Sequence, residues 1–450
     1  MDRQTDIIRA LTYIPNVFDK YVHYRGSELI EFKGLPVTIP SVPFIPYNDK
    51  EICSILQRIN LLDGCEELSV EPLGPKGKVG IPYIIKDQKG NTMIAKLSKV
   101  DKLFASYHPS PPTSLESFLG YGNEVKTCVS DIKLDRLRYI ASDEFTNETL
   151  IAYILNYMSQ ERVLPPLFVR HYRSGVCTDP ITGELIGLNI MENCDLGPLD
   201  TLPSKKSFRQ YVHIYDIIDH ERYFTASLVE PRVIFQILSQ ITVSLHMLQT
   251  YLNFASGDMK AGNVFVKSEP IDMKYRGIRL RAPFTCKIAD FGKSSCTVKR
   301  TNGTGVRFYN ENVAANIYLS LHPFEPEISG GYYTTGRLFN PQIHTRTRHM
   351  GVPYYHSFDY YTVLVSMLTN PAFYYMFFST DYLLETFWDP IWTDNGDEAR
   401  NRIHQYVMEG TGRSINDAVK IVRGLQLKCS AIELVLQKLT TTSEACEYRQ

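Results

Sequence analysis

The hydrophobic pattern gives one part of the chain strand character. Residues 79–98, "VGIPYIIKDQKGNTMIAKLS", hold two runs rich in β-branched and aromatic residues around a turn at Lys89-Gly90-Asn91. Runs of this kind joined by a glycine-containing turn predict a β-hairpin. Residues 184–193, "ELIGLNIMEN", form a short apolar run that predicts a further buried strand.

Other segments repeat their apolar residues at helical spacing. Residues 142–160, "SDEFTNETLIAYILNYMSQ", and residues 230–253, "EPRVIFQILSQITVSLHMLQTYLN", each predict an amphipathic or buried helix. The chain after about residue 395 is also helical by pattern. An uncharged run, Tyr360 to Thr380, is long enough to cross a bilayer. Because Asn370-Pro371 interrupts it at its middle, we expect a buried helix there and no membrane span.

The segments before and between these elements look like additions. Residues 1–70 combine an amphipathic helix near residues 6–21, a proline-bearing extended stretch and a second helix at residues 48–64. We expect this N-terminal extension to pack on or near the domain that follows. Residues 101–140, which include "HPSPPTS", are expected to be an insertion.

Charge and cysteine content narrow the classes of function. The chain of 450 residues has a formal net charge of −1 and no long run of Lys or Arg, which argues against nucleic acid as a partner. Its first residues carry charges where a secretory signal would be apolar. The nine cysteines are scattered without metal-site spacing, so we expect reduced thiols and a cytoplasmic location.

Two short stretches carry the candidate chemistry. The first, "FASGDMKAGNVFV", sets Asp258, Lys260 and Asn263 in one loop. The second, "CKIADFGKSS", places Asp290 and the following Phe-Gly just beyond a predicted strand, after an insertion of mostly basic and apolar residues. Phosphoryl transfer needs such a set, because metal-binding side chains, a base and a cation must converge on a highly charged group.

This D-x-K-x-x-N loop followed by Asp-Phe-Gly resembles the eukaryotic-type protein kinase superfamily. The resemblance implies an α+β, bilobal protein-kinase fold, with a small β-rich N-lobe containing one key helix and a larger, mainly helical C-lobe. It implies that Asp258 is the catalytic base and Lys260 the cation near the γ-phosphate of ATP. Asn263 and Asp290 would be the Mg²⁺ ligands.

The same resemblance requires a strand lysine paired with a helix glutamate. "MIAKL" supplies Lys96 within an apolar strand. Glu148 is the expected partner and Glu144 the reserve, because Glu148 lies one turn further into the apolar helix. The 52 residues between Lys96 and Glu148 are more than usual, and the insertion accounts for them.

A glycine-rich turn precedes the lysine strand. Gly74, Gly77 and Gly80 form a G-x-x-G-x-x-G array where the family has G-x-G-x-x-G. The turn can present backbone N–H groups to the phosphates of ATP. Pro75 and Pro82 remove two of those donors.

Two further landmarks are expected from the resemblance. The backbone around Glu192 to Cys194 would form the hinge that meets adenine, with the Cys194 side chain acting as a small buried hydrophobe. Asp359, in "SFDYYTVLVSML", would brace the catalytic loop. The kinase lobes would span residues 71–193 and 194–450, the second with an extended activation segment.

The chain also departs from the family pattern. Ser256-Gly257 stands where the family has His-Arg before the catalytic aspartate, and no A-P-E follows Asp290 before Asp359. Without that arginine we expect activity that does not depend on a phosphorylated activation loop. The missing histidine weakens packing around the Asp-Phe-Gly turn.

The sequence therefore predicts a divergent serine/threonine protein kinase that uses Mg²⁺ and ATP to phosphorylate proteins, with its oligomeric state open. Phrases such as "DEFTNETLIAYILN" look similar to kinases of large cytoplasmic DNA viruses, which would allow packaging in virions. Two alternatives stay open. One is a pseudokinase that binds partners, with or without nucleotide, and the other is a kinase of small molecules or lipids.

Overall fold

The structure, a computed structural model, describes the following residues: 30–31, 38–39, 48, 50, 52–54, 56, 68–73, 80–87, 91–100, 137–141, 144–160, 164–179, 182–215, 223–252, 254, 256, 258–300, 305–310, 353–392, 396–408 and 431–447. The predicted helix at residues 6–21 lies outside these ranges, and so does most of the predicted insertion. Of the second predicted helix, residues 50, 52–54 and 56 are described and are helical.

Within the described ranges the strands are, in chain order, β1 (Ile30–Glu31), β2 (Thr38–Ile39), β3 (Leu68–Pro72), β4 (Gly80–Asp87), β5 (Thr92–Lys99), β6 (Leu137–Ala141), β7 (His171–Thr178), β8 (Leu185–Glu192), β9 (Gly197–Pro198), β10 (Arg209–Tyr215), β11 (Tyr223–Val229), β12 (Val264–Lys267), β13 (Ile271–Tyr275), β14 (Ile278–Ala282), β15 (Thr285–Ile288), β16 (Ser295–Arg300) and β17 (Gly305–Asn310). The helices are α1 (Glu144–Gln160), α2 (Pro231–Leu252), α3 (Pro353–Leu368), α4 (Pro371–Phe378), α5 (Asp381–Leu383), α6 (Gly396–Met408) and α7 (Ala431–Glu447). Short 3₁₀ turns include Leu199–Ser204, Ala261–Asn263 and Phe291–Lys293.

The chain divides into two compact units. The first contains residues 1–25, 34–193 and 290–314, and the second contains residues 26–33, 194–289 and 315–450. Among the described residues, strands predominate in the first unit and helices predominate in the second. This mixed composition is compatible with an α+β, kinase-like fold.

The first unit is built around a five-stranded sheet in the order β3-β4-β5-β8-β7, in which neighbouring strands are antiparallel. The predicted hairpin is confirmed, with Ile84 opposite Ile94 across β4 and β5. A hydrophobic core that includes Ile85, Ala95 and Leu188 lies on the sheet, and helical residues Ile52 and Leu56 pack into the same core. Alternating inward residues therefore fix the register of these strands.

A second sheet of the first unit has the order β2-β16-β17-β6. Its strands β16 and β17 form an antiparallel hairpin, and β6 runs parallel to β17. Strand β6 falls at the end of the region predicted as an insertion, so that region contributes a strand to the fold.

Helix α2 is the central element of the second unit. It is buried along most of its length, and α3, α7 and strands β14 and β15 pack on it. The His246 side chain of α2 hydrogen-bonds the Tyr275 hydroxyl (2.8 Å) and Glu433 Oε1 (2.7 Å), which links the helix to β13 and to α7.

The uncharged run forms two helices. Helix α3 ends at Leu368, and Asn370 caps α4 by accepting a hydrogen bond from Ala372 N at 3.0 Å. Pro371 begins α4, where its missing N–H costs nothing. Among the described helices, none combines the length and apolar character that crossing a membrane would require.

One expectation about the cysteines is wrong. Cys53 and Cys177 form a disulfide with a Cα–Cα distance of 5.5 Å, although the scattered sequence pattern predicts reduced thiols throughout. The pairing joins residues 124 positions apart, so no local spacing indicates it. Cys194, Cys286 and Cys296 are outside disulfides, and their side chains are buried.

Candidate active site

A lysine held between two carboxylates forms the polar centre of the first unit. Lys96 Nζ donates to both oxygens of Glu148, at 3.1 and 2.9 Å, and to Asp290 Oδ1 at 3.3 Å. The Glu148 side chain is 4% exposed, whereas Asp290 is 36% exposed. The Lys96 ammonium is thus anchored by the buried Glu148 and also contacts Asp290, whose carboxylate solvent and ligands can approach.

The sheet and helix α1 position this lysine. Lys96 lies on the central strand β5, opposite Asn189 of β8. Thr149 of α1 donates to Asn189 Oδ1 at 3.0 Å, which fixes the helix against the sheet beside the lysine. Glu148 is next to Thr149 in the helix, so the same contact sets the position of its carboxylate.

Burial and charge set the protonation states here. Burial alone would lower the pKa of Lys96, but the carboxylates of Asp290 and Glu148 outweigh it and raise the pKa well above its ordinary value. Lys96 is therefore a permanent cation. Burial, helped by the Lys96 charge, lowers the pKa of His171 to about 3, so this imidazole is neutral at pH 7. Its Nε2 atom lies 3.9 Å from Glu148 Oε1.

Asp290 has an unusual backbone conformation. Its φ of 61° and ψ of 68° lie in the left-handed region, which non-glycine residues rarely adopt. The following Phe291 is fully buried and begins a 3₁₀ turn. Strained backbone of this kind persists where surrounding contacts hold it, and it concentrates at functional sites.

The loop between α2 and β12 forms a polar centre in the second unit. Lys260 Nζ donates to Asp258 Oδ2 at 3.1 Å, and Asn263 Nδ2 donates to the Asp258 carbonyl at 2.8 Å. Since its amide nitrogen points at that carbonyl, Asn263 presents its oxygen as the atom that can bind a ligand. The loop backbone is held by helix α3, whose Ser366 Oγ accepts from Ala261 N at 2.7 Å.

Asp359 holds the same loop from α3. Its buried carboxylate accepts a hydrogen bond from Ser256 N at 2.6 Å. This contact is the one expected if Asp359 braces the loop. The Ser366 contact, two turns further along α3, could not be predicted, because a lone serine in an apolar helix gives no signal in the sequence.

Asp200 is a further acidic residue near this loop. Its Oδ2 lies 3.2 Å from the position that a Cβ atom would take on Gly262. Burial raises the pKa of Asp200, and the Lys260 charge opposes that rise. Asp200 could not be predicted as a site residue, since one aspartate after a predicted hinge is not distinctive in the sequence.

The remaining predicted site residues are placed as follows. Gly74 and Gly77 lie outside the described residues, and Gly80 begins β4 opposite Ser98. Glu192 ends β8, where its side chain accepts from Arg170 N at 2.8 Å and its own N–H donates to Arg170 O at 2.9 Å. The carbonyl of the buried Cys194 accepts from Gly197 N at 2.9 Å.

The structure thus brings the predicted residues together in two groups, one in each unit. Lys96, Glu148 and Asp290 form the first, and Asp258, Lys260 and Asn263 form the second. The groups include a carboxylate and an amide oxygen, which are the hard ligands that Mg²⁺ prefers when substrate phosphates complete its shell. Among the described residues, no group of three or more His, Cys, Asp or Glu side chains is arranged to hold a metal ion.

Comparison with known proteins gives one distant relationship. No protein-family model matches the chain. Over 280 residues, or 52% of this chain, the sequence is 26% identical to a protein of Acanthamoeba polyphaga mimivirus named as a putative serine/threonine-protein kinase. The chain spans 37% of the length of that relative. The similarity supports a kinase-like relationship.

Proposed function

We propose that the chain is a serine/threonine protein kinase that transfers the γ-phosphoryl group of ATP to protein hydroxyls. The observation that carries the proposal is the position of Lys96, whose ammonium is shared between the buried Glu148 and the more exposed Asp290. A partly buried cation held against a buried carboxylate is expensive to maintain and needs a compensating role. Neutralising the phosphates of a bound nucleotide is such a role.

In the proposed reaction, Lys96 binds the phosphates of ATP and Glu148 keeps the lysine in place. Because the pKa of Lys96 is raised, its charge is present at every physiological pH. Glu192 and Cys194 mark the hinge backbone proposed to meet adenine. Gly74, Gly77 and Gly80 would cover the phosphates.

Asp258 is the proposed base. It accepts the proton of the acceptor hydroxyl as that oxygen attacks the γ-phosphorus, and the bond from phosphorus to the β–γ bridging oxygen breaks. Lys260, 3.1 Å from Asp258 Oδ2, adds positive charge beside the base and orients it. This charge stabilises the phosphoryl oxygens during transfer.

Asn263 and Asp290 are the residues that would hold Mg²⁺. When bound, the ion neutralises the β- and γ-phosphates and fixes their orientation. The exposed Asp290 carboxylate and the amide oxygen of Asn263 suit this ion in charge and hardness.

The lobe assignment is part of the proposal. Residues 71–193, with the insertion near 101–140, would be the N-lobe and residues 194–450 the C-lobe, with residues 1–70 as an extension that packs on or near them. Residues 290–314 belong to the first compact unit. The extended activation segment would therefore begin from that unit.

The substrate class and location rest on the resemblance and the viral relative. Lys260, two residues after the base, is typical of kinases that act on serine and threonine. The mimivirus relative favours a viral origin, with action in the host cytoplasm or packaging in the virion. Phosphorylation of a small molecule or lipid is the alternative substrate class.

A pseudokinase is the alternative function, and one observation favours it. Ser256 and Gly257 replace the His-Arg pair of the family. However, the backbone N–H of Ser256 still binds Asp359 at 2.6 Å, so the loop keeps its support. Lys96, Asp258, Asn263 and Asp290 are retained together, which a scaffold does not require.

The test is Mg²⁺-dependent transfer of labelled γ-phosphate to a mixed protein substrate and to the chain itself, compared with Asp258→Asn and Asp290→Asn. Label on serine or threonine that disappears in both variants is the expected result. No transfer, together with a rise in the unfolding temperature on adding ATP, would replace the proposal with a nucleotide-binding pseudokinase. Transfer that persists in Asp258→Asn would refute the assigned base.

A further inference from the structure

Asn147 makes an unusual set of contacts with the residues that follow Asp290. Its Nδ2 atom donates to Phe291 O at 3.1 Å, to Gly292 O at 3.0 Å and to Ser294 O at 2.7 Å. All four residues belong to the first unit. One side chain of α1 thus binds three carbonyls within the four residues that follow Asp290.

The chemistry of the amide explains why asparagine is needed. An amide NH₂ has two hydrogens and can serve several carbonyl oxygens in one place, whereas a hydroxyl has one and a carboxylate has none. Asn147 is 0% exposed, and its Oδ1 is buried without a hydrogen-bond partner in the structure. Leaving that oxygen unpaired is costly, so the contacts of the nitrogen are the reason for an amide at this position.

The backbone of the same segment also lies against α1. A Cβ atom on Gly292 would stand 3.0 Å from Glu144 Cβ and 3.2 Å from Glu144 O. Only glycine allows this approach without displacing the helix or the turn. Two independent contacts, one from Asn147 and one at Gly292, therefore hold residues 291–294 on the first two turns of α1.

Asn147 precedes Glu148, so neighbouring residues of α1 reach Asp290 by two routes. Glu148 holds Lys96, which contacts the Asp290 side chain, and Asn147 holds the backbone that follows Asp290. The chain lacks the histidine that the family places before the catalytic aspartate, and Ser256 stands there.

We propose that Asn147 is a positioning residue that keeps Asp290, the proposed metal-binding carboxylate, in its left-handed conformation. The inference rests on the proposed function for its catalytic meaning. The contacts themselves can be tested without turnover.

The test compares Asn147→Ala and Asn147→Asp with a matched control on the same helix. Asn156 donates from Nδ2 to His171 O at 2.6 Å, and it does not contact residues 291–294 in the structure. Asn156→Ala and Asn156→Asp therefore remove an amide-to-carbonyl bond of α1 that does not involve residues 291–294. The unfolding temperature of all four variants shows how much stability each variant loses.

Three readouts separate positioning from general stability. Hydrogen exchange measures the exchange rates of the backbone amides near residues 291–294. A fluorescent ATP analogue measures nucleotide affinity as the Mg²⁺ concentration is varied. Phosphate transfer measures turnover. We expect Asn147→Asp to speed exchange in that segment and to raise the Mg²⁺ needed for half-maximal nucleotide binding about tenfold or more. The Asn156 variants should leave the Mg²⁺ requirement within about twofold of wild type.

An unchanged Mg²⁺ requirement in both Asn147 variants would overturn the proposal, and so would an equal rise in the Asn156 variants. Gly292→Ala gives a second, independent perturbation of the same contact. It should raise the Mg²⁺ requirement in the same direction, and the double variant Asn147→Ala/Gly292→Ala should be less than additive. If wild type transfers no phosphate but the exchange and Mg²⁺ results hold, the proposed function fails while the positioning role of Asn147 stands.

Discussion

Replacing Lys96 with methionine should destabilise the first unit more than replacing Glu148 with glutamine. Methionine keeps most of the aliphatic stem of the lysine and removes only the cation. Glu148, with 4% of its side chain exposed, then remains as a buried carboxylate near Asp290. Glu148→Gln instead leaves Lys96 paired with Asp290.

The structure sets the expected magnitudes. Removing one partner of a buried ion pair costs about 3–5 kcal/mol, because the other charge stays buried and uncompensated. The Glu148→Gln change loses a charge-assisted hydrogen bond while the amide oxygen can still accept from Lys96, so about 1–2 kcal/mol is expected. Combining Lys96→Met with Glu148→Gln removes both charges, and the double variant should be more stable than Lys96→Met alone.

The pH dependence has a definite sign. Without Lys96, burial and the Asp290 charge hold the pKa of Glu148 above its ordinary value in the folded state. The folded variant then binds a proton more readily than the unfolded chain, so the penalty shrinks as the pH falls from 8 toward about 4.

Hydrogen exchange of backbone amides in β5 and α1 is the suitable assay for local opening. Both tryptophans of the chain, Trp388 and Trp392, belong to the second unit. Their fluorescence therefore reports on the second unit, whereas the substitutions lie in the first. Equal costs for Lys96→Met and Glu148→Gln would refute this reasoning. A Lys96→Met penalty that stays constant between pH 8 and pH 5 would refute it as well.

Three other changes have expected outcomes. Replacing Cys53 and Cys177 with serine should lower the stability of the first unit by up to about 4–5 kcal/mol, because their disulfide closes a loop of 124 residues. A reductant should lower the melting temperature of wild type but not that of this variant. Because burial lowers the pKa of His171 to about 3, wild type should lose up to about 1.4 kcal/mol of stability per pH unit as the pH falls from 6.5 to about 3. His171→Gln should remove this contribution and make the dependence of stability on pH less steep. An unchanged slope in acid denaturation would contradict the prediction. Asp359→Ala should slow phosphate transfer more than Asp359→Asn, since only alanine leaves the Ser256 N–H without an acceptor, and equal rates would argue against the bracing role.

Sequence reasoning was effective where local periodicity and position in an element carried the information. Strand β5 and helix α1 have clear periods, so the sequence could choose Glu148 over Glu144 as the partner of Lys96. In the structure Glu144 lies in the first turn of α1 against Gly292, and Glu148, one turn later, holds the lysine. The four-residue spacing within the helix explains why only one of them reaches it.

Contacts between distant parts of the chain were not accessible in this way. The bonds from Asn147 to residues 291–294 span more than 140 positions, and neither partner has a distinctive neighbourhood in the sequence. The basic and apolar insertion after the loop with Asp258 is a different case. It forms the β13–β14 hairpin with Tyr275 opposite Ile278, and the strict alternation in "IRLRA" was a signal for it.

The departures from the family pattern can be understood from the supports that replace them. The loop with Asp258 lacks the usual His-Arg pair, yet α3 holds its backbone at Ser256 through Asp359 and at Ala261 through Ser366. The histidine that the family places before the catalytic aspartate, and that would pack near Asp290, is also absent, yet α1 holds the residues after Asp290 through Asn147. Each group is supported within its own unit by neutral or buried donors and acceptors. None of these supports needs a phosphate, so we expect that phosphorylation of the proposed activation segment is not the step that assembles the proposed site.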